Sequence, residues 1–283
     1  MKMNINWYPG HMKKTSDSIK ENLKKVDVVL ELIDARAPKA SENPMIPELI
    51  GDKPRILIFN KGDLADPREN NRWMDYYKSK KINVVSVNSN TGKGIGDLLD
   101  EVDKVMEGKR AKDKDKGIIS EQVRAMIIGI PNVGKSTLIN SLASRKSAKT
   151  GNKPGITRTN QWIKVENRML LLDTPGVLWP KFESEELALN LAYIGSIKDE
   201  VIPKDDVALK LIEKLGREYP KLLEERFNIS LKENPLENME EIAKKRGAIM
   251  RGNEIDYSRV TDIILDEFRK GTIGRITLEK VNV

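Results

Sequence analysis

Apolar positions along this 283-residue chain fall into two regimes. In the first, short runs of Ile, Val and Leu alternate with stretches of helical periodicity. Val26–Ile33 (VDVVLELI), Arg55–Phe59 (RILIF), Ile82–Val87 and Ala125–Ile130 (AMIIGI) read as buried strands of the kind parallel sheets require. Gln161–Val165 and Arg168–Leu172 read as two adjacent strands around a turn at Glu166-Asn167. Between the strands, helical spacing predicts helices over Met12–Val26, Asn43–Ile50, Glu69–Lys80 and Ile95–Met106, the first with Ile19, Leu23 and Val26 on one face. Strands that alternate with helices predict a mostly parallel α/β sheet with helices on both faces. Past residue 184 the strand signals stop. Helices are predicted at 185–194, 204–217, 238–250 and 256–270, the third with Asn238 and Glu241 as a capping box. Expected, then, are an α/β domain over residues 1–180 and an all-helical domain over 181–283. The stretch 108–117 (GKRAKDKDKG) lacks apolar anchors and reads as an exposed connection.

One strand-to-helix junction carries chemistry. Gly129-Ile130-Pro131-Asn132-Val133-Gly134-Lys135-Ser136 fits G-x-x-x-x-G-K-[ST], preceded by a buried strand and followed by helical spacing from Thr137. Glycines let the backbone wrap a polyphosphate, and inward N–H groups at a helix N-terminus favour an anion. Lys135 then neutralises the β- and γ-phosphates, and the Ser136 hydroxyl binds Mg²⁺. Residues Asn132 to Thr137 are the phosphate-side candidates.

Composition narrows the partners. No cysteine is present, which excludes disulfides, thiolate metal sites and thiol catalysis. The longest apolar runs fall far short of a bilayer span, and residues 1–25 have no apolar signal core, so a cytoplasmic protein without membrane contact is expected. Net charge is +7, unevenly spread: residues 181–283 hold 18 Lys+Arg against 21 Asp+Glu, a net −3, which leaves +10 on residues 1–180. A basic half of that size points to an anionic partner larger than a nucleotide, most simply nucleic acid.

Which nucleotide follows from Asn60-Lys61-Gly62-Asp63, an N-K-x-D at the end of a buried strand. Guanine presents N1–H and an exocyclic amine side by side, and the Asp63 carboxylate can accept both; adenine would leave it unpaired. Asn60 ties the loop down and the Lys61 stem covers the base. Ser86-Val87-Asn88 closes the next strand, where the guanine O6 needs a backbone N–H. Asp173-Thr174-Pro175-Gly176 supplies D-x-x-G, with Asp173 holding Mg²⁺ through water and the Gly176 N–H meeting the γ-phosphate. Thr157 is the candidate hydroxyl that closes over Mg²⁺ and the γ-phosphate and releases after hydrolysis. Together these elements make a guanine-nucleotide site that hydrolyses GTP to GDP.

Their order is circularly permuted. In the ordinary arrangement the phosphate loop comes first and the base-reading elements last; here residues 60–63 and 86–88 precede 129–136, Thr157 and 173–176. The fold class expected is therefore a circularly permuted P-loop GTPase domain followed by an all-helical domain. With Trp7-Tyr8-Pro9-Gly10-His11-Met12, Asp34-Ala35-Arg36-Ala37-Pro38 and Lys153-Pro154-Gly155-Ile156-Thr157-Arg158 added, the chain resembles the bacterial YlqF/RbgA ribosome-biogenesis GTPases over essentially its whole length. The resemblance implies late assembly of the large (50S) ribosomal subunit, contact with precursor rRNA, hydrolysis stimulated by the particle and an RNA-binding helical domain, monomeric off the ribosome. For RNA, either a local basic cluster in that net-acidic domain (Lys244, Lys245, Arg246, Arg251) does the binding, or the basic GTPase domain carries much of it. Rival readings are a nucleotide-gated RNA-binding scaffold, or a GTPase in tRNA modification or signalling.

Val177 and Leu178 stand where many GTPases carry the glutamine that orients the attacking water. The resemblance points instead to His11, the single histidine, as the catalytic residue; an imidazole can orient water or accept a proton near neutral pH. Similarity to potassium-dependent GTPases implies that Asn132 holds K⁺ beside the phosphates. His11→Ala is expected to abolish particle-stimulated turnover while GTP affinity stays unchanged, as read by single-turnover hydrolysis beside nucleotide titration; stimulated turnover at the wild-type rate would remove His11 from the mechanism.

Overall fold

Six strands form one sheet in the order β3-β2-β1-β4-β6-β5, parallel throughout except for the antiparallel edge strand β5. The structure is a computed structural model that describes residues 19–115, 117, 122–144, 162–174, 176 and 184–281. His11 and Thr157 lie outside the described residues. In chain order the elements are β1 (Val28–Asp34), α1 (Pro38–Ser41), α2 (Ile46–Ile50), β2 (Arg55–Asn60), α3 (Pro67–Ser79), β3 (Asn83–Val87), α4 (Ile95–Asp115), β4 (Val123–Gly129), α5 (Lys135–Ser144), β5 (Trp162–Val165) and β6 (Met169–Asp173). The helical unit follows with α6 (Glu185–Tyr193), α7 (Lys204–Glu218), α8 (Pro220–Phe227), α9 (Pro235–Arg246) and α10 (Tyr257–Lys270). The permuted GTPase architecture read from the motif order is the one observed. All seven residues of β1 are buried, which accounts for its unbroken apolar run apart from Glu31 and Asp34.

Three local readings need correction. Residues 108–115 are exposed as expected, but they form the last two turns of α4, which stays helical without an apolar face because Lys, Arg and Ala carry good helix propensity. The cap of α9 is Asn234, not Asn238: its side chain accepts the Leu236 N–H at 3.0 Å and Pro235 occupies the first turn. Asn238 is buried inside the helix, where its amide satisfies both the N–H and the C=O of Lys232. Finally, α8 has no counterpart in the sequence reading. Pro220 opens this helix at its first position, where its missing N–H costs nothing.

One continuous apolar core joins the sheet face carrying Leu30, Ile58 and Ile127 to Leu211, Ile264 and Phe268 of the helical unit. The chain then returns. Residues 272–281 run back across the α/β unit with Ile273, Ile276 and Leu278 buried, so the last stretch serves the first domain. Ile276 donates its N–H to Leu64 O at 2.9 Å, Leu278 to Arg36 O at 2.7 Å, and the Trp73 indole N–H donates to Glu279 O at 2.9 Å.

A charged cluster is also buried beside the sheet. Arg55 Nη2 lies 2.7 Å from Glu31 Oε2 and 2.8 Å from Glu42 Oε1, and the Tyr77 hydroxyl donates to Glu42 Oε2 at 2.8 Å. Removing the cation would strand two buried carboxylates. Arg55→Ala is expected to cost about 3–5 kcal/mol in urea unfolding near neutral pH, with a smaller loss in acid, where the carboxylates can take up protons.

Candidate functional site

The carboxyl ends of the five parallel strands deliver every described motif to one edge of the sheet. Register places Asp34 beside Asn60, Asn60 beside Val87, Leu32 beside Gly129 and Ile127 beside Asp173. Because β1 and β4 are neighbours from which the chain winds in opposite directions, a crevice opens there, the usual ligand position in open α/β sheets.

On the phosphate side, the backbone bends through positive φ at Asn132 (62°) and Gly134 (99°) before α5 begins at Lys135. A side chain at Gly134 would collide with the Asn60 amide, which explains the glycine. Lys135 donates from Nζ to Gly129 O at 3.0 Å and Ile130 O at 3.3 Å, closing the loop on its own carbonyls. Burial pushes its pKa down to about 8, against the opposing pull of Asp173. Gly176 packs against that lysine; a Cβ there would come within 2.8 Å of Lys135 Nζ. Thr174 pins the same loop to the sheet by donating from its hydroxyl to Ile127 O at 2.5 Å. Ser136 and Thr137 face solvent at the start of α5.

On the base side, Asn60 is a fastener. Its Nδ2 donates to Val133 O of the phosphate loop at 2.7 Å, while its Oδ1 accepts from the Ser89 N–H at 3.1 Å and the Ser89 hydroxyl at 2.8 Å. Three segments distant in sequence thus meet at one buried amide. Asn60, Lys61, Asp63, Asn88, Gly134 and Thr137 line a cavity of about 380 Å³ between the two sides. Of the strand-closing triplet, only Asn88 reaches it. Ser86 and Val87 belong to β3, with the Ser86 hydroxyl packed beneath Gly62, and it is Ser89, one residue on, that both Asn60 and the cavity contact. The sequence held a usable signal here, since an Asn at 88 favours an Asx turn: its Oδ1 accepts the N–H groups of Asn90 and Thr91, and the buried Ser89 lies within that turn.

Sequence reasoning did not reach two further features. Asp34 and Arg36 are fully buried, and the Asp34 carboxylate receives Arg36 Nε at 2.9 Å, Arg36 Nη2 at 2.8 Å and Lys61 Nζ at 3.0 Å. Burial works to raise the Asp34 pKa, but the two cations outweigh it and hold the carboxyl well below its ordinary range. Lys61 in turn donates to Asn132 O at 2.7 Å. Secondly, the helical unit closes the cavity: Arg269 and Lys270 at the end of α10 line it, Asn132 Nδ2 donates to Gly195 O at 2.5 Å, and the Ser196 hydroxyl donates to Pro131 O at 2.9 Å. No local motif marks these residues, because their role depends on how the two units pack.

A phosphate loop and an N-K-x-D loop facing each other across one cavity, on a sheet whose strands come in permuted order, define a circularly permuted GTPase fold. Comparisons agree. A family model described as a 50S ribosome-binding GTPase matches residues 124–245. Ribosome biogenesis GTPase A of Priestia megaterium is 45% identical over 98% of this chain and 97% of its own length. The mouse mitochondrial ribosome-associated GTPase 1 is 34% identical, with 97% and 90% covered. The GNP-bound crystal structure of YlqF from T. maritima superposes with a TM-score of 0.68 at 27% identity, covering 94% of this chain and 98% of that one. The chain belongs to the ribosome biogenesis GTPase A (YlqF/RbgA) family.

Anionic phosphates beside Lys135 would raise its pKa again, so nucleotide binding takes up a proton wherever the free lysine is neutral. GDP affinity is therefore expected to be flat on the acid side of about pH 8 and to fall by about tenfold per unit above it, with Lys135→Arg removing that slope; isothermal titration in buffers of different ionisation enthalpy measures both.

Proposed function

We propose that this protein binds GTP and GDP, hydrolyses GTP, and serves as an assembly factor for the large (50S) ribosomal subunit. It would bind the precursor particle and its rRNA in the GTP state and leave after hydrolysis. The observation that carries the reading is Asp63 set across a single cavity from Gly134 and Thr137 of the phosphate loop and its helix, in a chain whose family model is described as a 50S ribosome-binding GTPase. Asp63 reads the guanine N1–H and amine, Asn60 and Ser89 fix the loops around the base, and Asn132 to Thr137 cradle the phosphates. Ser89, which lines the cavity, would join Ser86-Val87-Asn88 on the base side of the site.

The residues suit Mg²⁺. The Ser136 hydroxyl is exposed at the mouth of the loop and Asp173 ends β6 beside Lys135, a sparse oxygen set of the kind Mg²⁺ uses when phosphates complete its shell. When bound, Mg²⁺ neutralises charge developing on the transferred phosphoryl group. Thr157 would join it from the loop over the γ-phosphate, and His11 would orient or deprotonate the attacking water. For K⁺, Asn132 has its amide nitrogen committed to Gly195 O, which turns Oδ1 away as the atom available to a cation.

Within the proposed RNA-binding helical unit, Lys244, Lys245 and Arg251 are exposed. Arg246 does other work: it donates to Arg226 O at 3.0 Å and lies over the Phe227 ring at 5.1 Å. RNA contact therefore rests on the first three and on the basic residues of the α/β unit. Among the described residues no helix is long and apolar enough to cross a membrane; a cytoplasmic protein, monomeric off the particle, completes the proposal.

Sedimentation with large-subunit precursors tests it. Co-migration is expected with a non-hydrolysable GTP analogue and not with GDP, and release after GTP is expected in K⁺ buffer but not in Na⁺ buffer. Failure to co-migrate in any nucleotide state would overturn the assembly role.

A further inference from the structure

The loop that carries Asp63 is short, and its own internal support is a single turn bond, Leu64 N–H to Lys61 O at 2.9 Å. Lys61 adopts a positive φ of 59°, a conformation that a non-glycine residue holds only when its surroundings impose it. Lys61 itself is held by Asp34 and Asn132 O, and the rest of the loop is held by the C-terminal strap. Arg275 donates from Nη2 to Gly62 O at 3.0 Å and from Nε to Ala65 O at 3.0 Å, so one guanidinium spans Asp63 and Leu64. Between those two bonds Ile276 donates its N–H to Leu64 O, and just beyond them the Thr277 hydroxyl accepts the Asp66 N–H at 3.1 Å. Leu64 also packs so tightly on Gly271 that a Cβ there would come within 2.6 Å of Leu64 Cδ2. The carbonyls on either side of Asp63 are thus held by residues more than two hundred positions away.

We propose that Arg275 is a positioning residue for base recognition: by bracketing Asp63 from both sides, it makes guanine specificity depend on the seated C-terminal strap. This rests on the reading of Asp63 as the group that binds guanine. The planar fork matters as much as the charge. Two parallel N–H groups can hold two carbonyls at a fixed separation, whereas a lysine ammonium would hold one or neither with comparable geometry. A carboxylate that must accept two donors at once is sensitive to small displacements, and the exocyclic amine is the donor that separates guanine from hypoxanthine. Coupling of this kind is reciprocal, so a bound guanine base also favours the seated strap.

The test compares GDP with IDP, which lacks the exocyclic amine, by competition against a fluorescent guanine nucleotide for the full-length wild type, Arg275→Lys, Arg275→Met and Asp63→Asn. The expected result is a wild-type preference for GDP that shrinks by about tenfold in both Arg275 variants, through weaker GDP binding with IDP affinity nearly unchanged. Asp63→Asn should erase the preference altogether. A strap that served only as packing would weaken GDP and IDP alike and lower the melting temperature, leaving the ratio intact; that outcome overturns the proposal. Melting curves identify any variant that does not fold, and Arg275→Lys, which keeps the charge and the stem, decides the question if Arg275→Met is lost. Absence of a GDP preference in the wild type would overturn the guanine reading itself, whereas a preference sensitive to Asp63 but not to Arg275 would overturn this inference alone.

Discussion

A carboxylate with no access to solvent has to be paired, and Asp34 sets that requirement at the centre of this molecule. Its two cationic partners face in opposite directions. Arg36 continues from Asp34 to the carbonyls of Phe268 and Arg269, at 3.2 and 3.0 Å, and stacks over the Phe268 ring, so it caps the last turn of α10. Lys61 continues to the carbonyl of Asn132 in the phosphate loop. One buried negative charge therefore fixes the helical unit, the base-reading loop and the phosphate loop relative to one another. Loss of either cation would leave Asp34 with a single partner and would cut one of the two ties it makes.

This network explains how a permuted order still yields an ordinary site. Permutation changes which strand ends are joined by chain, and leaves unchanged which strand ends are neighbours. Asn60 and Asp34 make the neighbour relations binding, because each bonds across segments that covalent connectivity does not join. The helical unit inherits a structural duty from the same arrangement. It follows the D-x-x-G strand directly, touches the phosphate loop through Gly195 and Ser196, and ends in a strap along the base loop, so both halves of the nucleotide cavity feel its position.

Most of the sheet was legible because β1, β2 and β4 are buried on both faces and their apolar runs have no competing helical period. The phosphate loop, N-K-x-D and D-x-x-G were legible for a different reason: each packs its chemistry into a few consecutive residues. What escaped were features whose cause is tertiary. Asp34 and Arg36 looked like a polar strand-end loop, and nothing in D-A-R-A-P says that the arginine reaches α10. That Ser89 lines the cavity was not legible, because the end of β3 is set by pairing with β2, not by composition. Residues 108–115 show the reverse error, in which charge suggested irregular chain while local propensity produced helix.

That unexpected extension of α4 changes the mechanics of the link between the two halves of the site. Twenty-one helical residues make a rod about 31 Å long, and only the part up to Met106 is embedded in the core. A flexible connection would absorb a push on its basic outer end as slack. A rod passes the same displacement along its axis, and its inner end at Ile95 follows directly on the turn that presents Ser89 to Asn60. The segment leading from base loop to phosphate loop is stiff rather than slack, with its core-facing part ending at Met106 and Lys109 beyond it paired with Asp27 just before β1.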